Sequence, residues 1–93
     1  MKFKDAKEKM SAIRKLHTAR DYEGETIFYK KPYSAKSITV ITDKQEVFDL
    51  NKVTHMSLDE MGLLIQYKPV NVNKMHPFPL NVIEDIIVEA KEN

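Results

Sequence analysis

The chain of 93 residues has no cysteine. It therefore forms no disulfide, and it offers no thiolate to a zinc ribbon, an iron–sulfur cluster or a nucleophilic catalyst. The hydrophobic core has to stabilise the fold alone.

An excess of charge of one sign is missing as well. Fifteen Lys and Arg residues oppose 14 Asp and Glu, which leaves a formal net charge of +1. This balance falls well short of the positive charge expected of a general DNA-coating protein or a polybasic membrane anchor. Arginine is scarce, with two residues, Arg14 and Arg20. This scarcity weighs against sequence-specific DNA readout, because arginine forks are the side chains that most often read guanine.

Long apolar runs are absent. No segment approaches the ~18 apolar residues of a membrane span, and the start MKFKDAKEKM carries charges too closely spaced for a signal peptide. With 42% hydrophobic and 31% charged residues, the composition is that of an ordinary globular protein. We expect one soluble, cytoplasmic domain over residues 1–93, with no membrane association.

The N-terminal segment has the apolar spacing of a helix. Apolar residues recur three or four positions apart, at Phe3, Ala6, Met10, Ile13 and Leu16. Acidic residues lie early and basic residues late, as suits a helix dipole, and Gly24 follows as a stop signal. The pattern predicts an amphipathic helix from residue 2 to about 21, within a helical part that we place at 1–22.

After Gly24 the apolar period changes to two, which is typical of strands, and residues 25–90 are predicted to be β-rich. A turn is expected at Asp59–Gly62, with Gly62 at positive φ, and a loop at residues 70–76. The predicted strands are Thr26–Tyr29, Ser37–Thr42, Val47–Leu50, Leu63–Tyr67 and Asp85–Glu89.

Two twelve-residue segments, 48–59 and 78–89, share one pattern without a gap. Each begins with Phe-x-Leu-Asn and continues through a β-branched residue into alternating apolar positions that end on an acid. The pattern predicts a strand, a corner and a second strand, with Phe48, Leu50, Phe78 and Leu80 buried at the corners. A genuine internal repeat and two merely similar corners both remain open.

These elements predict an α+β fold in which an N-terminal amphipathic helix packs on a small, strongly bent antiparallel sheet or barrel. The order of one helix and five to seven short strands resembles that of small SH3-like or Sm-like barrels. The resemblance covers the layout alone and carries no functional residues.

No catalytic, cofactor-binding or metal-binding constellation is visible, and we expect a non-enzyme. The carboxylate pairs Asp59-Glu60 and Glu84-Asp85 fall in predicted turns, where carboxylates are usually solvated. His17 and Asp21 lie four apart on the predicted helix and could share a metal, although such a pair is more typical of a surface contact. His76 lies in the predicted loop, where a binding role and an incidental one both remain open.

Charge is segregated along the chain. Residues 1–22 carry seven Lys or Arg against three Asp or Glu, whereas residues 23–93 carry eight against eleven. The basic flanks of the predicted helix either pack on the acidic β-rich part or meet an anionic partner.

Aromatic and basic side chains alternate in two places, as they do on surfaces that stack single-stranded bases. The candidate binding surface consists of Tyr29, Lys30, Lys31, Tyr33, Tyr67 and Lys68. Tyr-Lys-Pro at a strand end is also a common device against strand pairing.

The predicted function is a non-enzymatic protein-binding module, such as a small regulator, adaptor or inhibitor that acts by covering another protein's surface. Proteins of this kind are common in phages and mobile elements. The alternative is a small β-barrel that binds single-stranded nucleic acid. A homodimer is a further alternative if the uncharged strand Ser37–Thr42 is a sheet edge, whereas a central position would pair it with Thr26–Tyr29 and Val47–Leu50.

Overall fold

The fold, given by a computed structural model, combines one short helix with antiparallel strands in two sheets. The structure describes residues 1–31, 35–68 and 72–90, and for Ala90 the backbone alone. The elements are α1 Phe3–Lys9, β1 Lys15–Asp21, β2 Gly24–Tyr29, β3 Ala35–Ile41, β4 Glu46–Phe48, β5 Val53–Leu58, β6 Gly62–Tyr67, β7 Lys74–Pro79 and β8 Asp85–Ala90, with a 3-10 turn at Leu80–Val82.

A five-stranded sheet has the order β1-β2-β5-β6-β7, and a three-stranded sheet has the order β4-β3-β8. All pairings are antiparallel. The α+β class predicted from the sequence is confirmed.

The predicted long helix is wrong beyond Met10. α1 ends at Lys9, and Lys15–Asp21 is a strand paired with β2. Ile13 and Thr18 are β-branched and weak helix formers, and the turn between Asp21 and Gly24 closes a hairpin of β1 with β2 instead. In that turn Gly24 has φ 120°, and the Asp21 carboxylate accepts a hydrogen bond from the backbone N–H of Glu23 at 2.8 Å. The β-rich part therefore begins at residue 15 rather than 25.

The helix that remains packs on acidic residues of the sheets. Ala6 and Met10 are fully buried. The ammonium of Lys7 lies 2.9 Å from a Glu25 carboxylate oxygen on β2, and that of Lys9 lies 3.2 Å from Asp85 on β8. These contacts favour the first of the two alternatives, in which the basic flanks pack on the chain's own acidic β-rich part.

The four predicted corner residues are buried, with exposed fractions of 8% for Phe48, 7% for Leu50, 3% for Phe78 and 8% for Leu80. The rings of Phe48 and Phe78 meet edge to face, with their centroids 5.3 Å apart. The core residues that follow them, Val53 and Ile83, are also buried. The burial predicted from the two segments is confirmed.

The strand register repeats between the two segments as well. Val40 pairs with Ile86 between β3 and β8, and Ile65 pairs with Met56 between β6 and β5. In the hairpins, Ile38 pairs with Phe48 and Leu63 with Phe78. Each unit, β3-β4-β5 or β6-β7-β8, thus pairs its first strand with the last strand of the other, in matching register.

The strand predicted at Ser37–Thr42 is β3, and it lies between β4 and β8. Its central position is confirmed, and so is its pairing with residues of the segment Val47–Leu50. Its predicted pairing with Thr26–Tyr29 is wrong, because β8 pairs with that side of β3. Within the described residues β3 is therefore not a sheet edge, which was the condition for the predicted homodimer.

Two local predictions around β6 and β7 also need correction. The predicted loop at 70–76 ends early, since β7 begins at Lys74; residues 70 and 71 lie outside the described part. As an edge strand, β7 accommodates Pro77 and Pro79. Gly62 closes the predicted turn without a positive φ. A side chain there would instead clash with the Phe78 carbonyl oxygen.

Candidate functional site

The strand directions of the five-stranded sheet bring basic residues from distant parts of the chain to one end. Neighbouring strands are antiparallel, so β1, β5 and β7 begin where β2 and β6 finish. Seven exposed cations lie at this end, which we call the basic end: Arg14, Lys15, Lys30, Lys31, Lys52, Lys68 and Lys74.

Backbone contacts fix the neighbours within the basic end. The N–H of Lys30 donates to the carbonyl of Arg14 at 2.9 Å, and the N–H of Lys68 donates to the carbonyl of Lys52 at 3.0 Å. Lys74 is paired with Tyr67, the residue before Lys68. The cations therefore form a line across all five strands.

The opposite end of the same sheet is acidic. Asp21, Glu23 and Glu25 of the β1–β2 hairpin surround the same small surface depression as Asp59 and Glu60 of the β5–β6 turn. The pKa of the Glu25 carboxyl is lowered, first by its hydrogen bond from Lys7. With ~3.4 Å per residue, six-residue strands separate the two ends by about 20 Å.

None of the four ion pairs found among the described residues involves a cation of the basic end. The pairs are Lys7–Glu25, Lys9–Asp85, Arg20–Glu25 and Lys36–Glu89. Asp49 lies three residues before Lys52, and its carboxylate accepts a hydrogen bond from the Asn51 N–H. Among the described residues, the seven cationic side chains therefore have no carboxylate partner.

A groove of about 310 Å³, which we call the outer groove, opens on the outer face of the sheet next to the basic end. A bulge in β1 sets Leu16 and His17 opposite Phe28, and the rings of His17 and Phe28 stack with centroids 4.4 Å apart. The lining combines apolar side chains with three polar ones: Leu16, Phe28, Tyr29, Met56 and Leu64 with His55, Ser57 and Gln66.

The structure divides the binding surface predicted from the sequence. Lys30, Lys31 and Lys68 are exposed and lie together at the basic end. Tyr67 is half-buried, and its ring meets that of Phe48 edge to face, with the ring centroids 6.0 Å apart. Tyr33 lies outside the described residues.

Tyr29 belongs to the core, contrary to its predicted place on the surface. It is 7% exposed, because β2 turns its ring toward the helix side of the sheet together with Ile27. Burial, and then the negative charge of Glu25, raises the pKa of the Tyr29 hydroxyl to about 12. Its ring is not accessible to a stacking base.

The Phe28–His17 stack and four of the seven cations form no recognisable pattern in the sequence. The adjacent residues Arg14 and Lys15 lie far along the sequence from Lys52 and Lys74, and only the sheet register brings these four together. In the structure each of them lies at or next to a strand end, whereas the sequence pattern had placed Arg14 and Lys15 in a helix and Lys74 in a loop.

The other candidates from the sequence have structural roles. His17 and Asp21 lie four apart on an extended strand, about 13 Å from each other, too far to share a metal. Asp59 accepts hydrogen bonds from the N–H groups of Met61 and Gly62 at 2.8 and 2.9 Å. Half-buried His76 stacks on Phe78 with centroids 4.2 Å apart.

Within residues 1–31, 35–68 and 72–90, no group of three or more His, Asp or Glu side chains is arranged to hold a metal ion. In the same described part, no helix is long and apolar enough to cross a membrane. No protein-family model matches the chain, and neither a curated protein nor a solved structure matches it significantly. The function is therefore inferred from the basic end and the groove beside it.

Proposed function

We propose that the protein binds single-stranded nucleic acid, with the phosphates held along the basic end. The observation that carries this proposal is the convergence of seven exposed cations, none engaged in an ion pair among the described residues, at one end of a single sheet. A polyanion gains affinity at such a line by releasing its counterions.

The dimensions of the basic end favour a short stretch of nucleic acid. Five strands at ~4.8 Å spacing extend across about 19 Å. This span suits the lower end of the ~4–16 nucleotides that a single small domain contacts. The acidic end repels phosphates, so the backbone is expected to cross the strands from β1 to β7 and not to follow them.

A single strand fits the site better than a duplex. Lysines supply six of the seven charges and neutralise phosphate as point charges, without the forked geometry that reads guanine in the major groove. The helix at residues 3–9 has seven residues, about two turns, and packs on the sheets through Ala6, so it is much shorter than a recognition helix that lies in the major groove.

The test is fluorescence anisotropy with labelled single-stranded DNA and RNA at several salt concentrations. We expect binding at micromolar concentrations in low salt, with an affinity that falls steeply as salt is raised. Lys30→Glu should weaken binding. Arg20→Glu changes the net charge equally at the acidic end and should not weaken it. Absence of saturable binding at low salt, or equal loss in both variants, contradicts the proposal.

The protein-binding function predicted from the sequence is the alternative. On the outer face of the three-stranded sheet, Val47 and Ile87 lie in one row on either side of Thr39 and are 72% and 49% exposed. If no oligonucleotide binds, the proposed function becomes that of a regulator, adaptor or inhibitor that binds another protein through this face. The small-barrel type of the fold and a cytoplasmic location also remain predictions.

A further inference from the structure

The outer groove and the basic end are parts of one surface. Lys15 precedes the groove residue Leu16, and Lys30 follows the groove residue Tyr29. Tyr29 itself pairs with Lys15 on one side and with Met56 on the other. When Lys15 or Lys30 binds a phosphate, the base of the same nucleotide is therefore close enough to enter the groove.

We propose that the outer groove receives one unpaired nucleobase of the bound strand. This inference rests on the proposed function and adds to it the contact that distinguishes single strands from duplexes. A base in a duplex is stacked and paired, and it cannot enter a groove on a protein surface without being unpaired first.

The walls of the groove suit the face of a base. Phe28 is held by the stacked ring of His17, with an angle of 25° between the ring planes. Leu16, which is 56% exposed, and Leu64 complete the apolar lining. A fixed aromatic ring beside aliphatic side chains is the arrangement on which single-stranded bases stack.

The polar groups of the groove suit the edge of a base. Among the described residues, the side chains of His55, Ser57 and Gln66 take part in no hydrogen bond, while the Gln66 carbonyl accepts one from Thr54. An amide, a hydroxyl and an imidazole offer donors and acceptors to the Watson–Crick or Hoogsteen edge.

Two strand irregularities lie beside the groove. The register shifts between Lys15 and His17 in β1, and again between Val53 and His55 in β5. Bulges re-aim side chains and recur next to functional sites. Here the first turns Leu16 and His17 to the same side, and the second precedes His55. The volume of about 310 Å³ is at the small end of the ~300–1,000 Å³ typical of small-molecule sites, as one nucleotide requires.

The test compares two oligonucleotides of equal length and charge, an eight-nucleotide thymidine strand and its fully abasic counterpart. We expect the strand with bases to bind about tenfold more tightly, in line with base–aromatic stacking. Phe28→Ala should remove this preference and leave the affinity for the abasic strand unchanged. Lys30→Glu should weaken both ligands equally. Far-UV circular dichroism checks that each variant is folded.

The outcomes separate the two proposals. Equal binding of both oligonucleotides by the unmodified protein overturns the base groove and leaves the basic end standing, and this comparison needs no variant. Equal affinity for single-stranded and duplex DNA also overturns it. If neither oligonucleotide binds at low salt, the proposed function itself is wrong.

Discussion

At the scale of the residue, Tyr29 connects the core to the candidate site. Tyr29 is one of the lining residues of the outer groove, and it also lines a second groove of about 340 Å³ between β2 and the segment that follows α1, on the side to which its ring turns. Among the described residues its hydroxyl has no hydrogen-bond partner, although only 7% of the residue is exposed. Tyr29 therefore supports both grooves as a neutral, buried side chain.

Tyr29 should make the protein sensitive to alkali. The pKa of its hydroxyl is raised from 10.0 to about 12, so the folded state keeps a proton that the unfolded state loses first. The corresponding stability is complete below pH 10 and lost as the pH rises to about 12. Between pH 9 and pH 11 the urea midpoint should fall further in the unmodified protein than in Tyr29→Phe. The variant is the control because its lysines titrate in the same range. Equal falls would show that the hydroxyl is not buried.

Phe48 and Phe78 join the two repeated units at the centre of the core. Replacing either with Ala should lower the free energy of unfolding by about 3–5 kcal/mol, because a large ring is lost from a packed interior. Since the two rings touch, the double variant should lose less than the sum of the single losses. Val47→Ala, at a 72% exposed position, is the control and should change stability by less than about 0.5 kcal/mol. Unchanged denaturation midpoints in both Phe variants would contradict this account of the core.

At the scale of the element, period-two patterns predicted the strands better than period-three-and-four patterns predicted the helix. The residues Met10 and Ile13 are buried as the helical spacing requires, but Leu16 is 56% exposed on β1. Apolar spacing up to Ile13 is satisfied equally by a short helix and the turn that follows it. The hairpin with β2 depends on Asp21 and Gly24. In the sequence Gly24 was interpreted only as the signal that ends a helix, and not as part of a turn between two strands.

The β1–β2 hairpin depends on its glycine. At φ 120°, Gly24 occupies a conformation that L-residues rarely adopt, and a Cβ there would lie 2.7 Å from the Glu60 carboxyl group. Gly24→Ala should therefore lower the free energy of unfolding by about 1–2 kcal/mol. Adding Glu60→Ala should restore only part of the lost stability. It removes the steric contact with the new Cβ, but the unfavourable φ at residue 24 remains. A denaturation midpoint that Gly24→Ala leaves unchanged would argue against this hairpin.

At the scale of the whole molecule, the net charge of +1 conceals a sheet with oppositely charged ends. Three of the cations, Lys30, Lys31 and Lys68, were predicted together from local aromatic-basic patterns. The remaining four could not be grouped from the sequence, because their proximity depends on which strands pair and in which direction. The outer groove was missed for the same reason, since it combines residues of β1, β2, β5 and β6.

The most direct test of the basic end as a nucleic-acid interface is an NMR titration of ¹⁵N-labelled protein with a short single-stranded oligonucleotide. We expect backbone amide shifts to change at the basic end and the outer groove, including Leu16, Lys30, His55, Gln66 and Lys68. The amides of the acidic end, at Glu23 and Glu60, should stay unchanged. Changes confined to the face of Val47 and Ile87, or no changes at the basic end during saturable binding, would contradict the account.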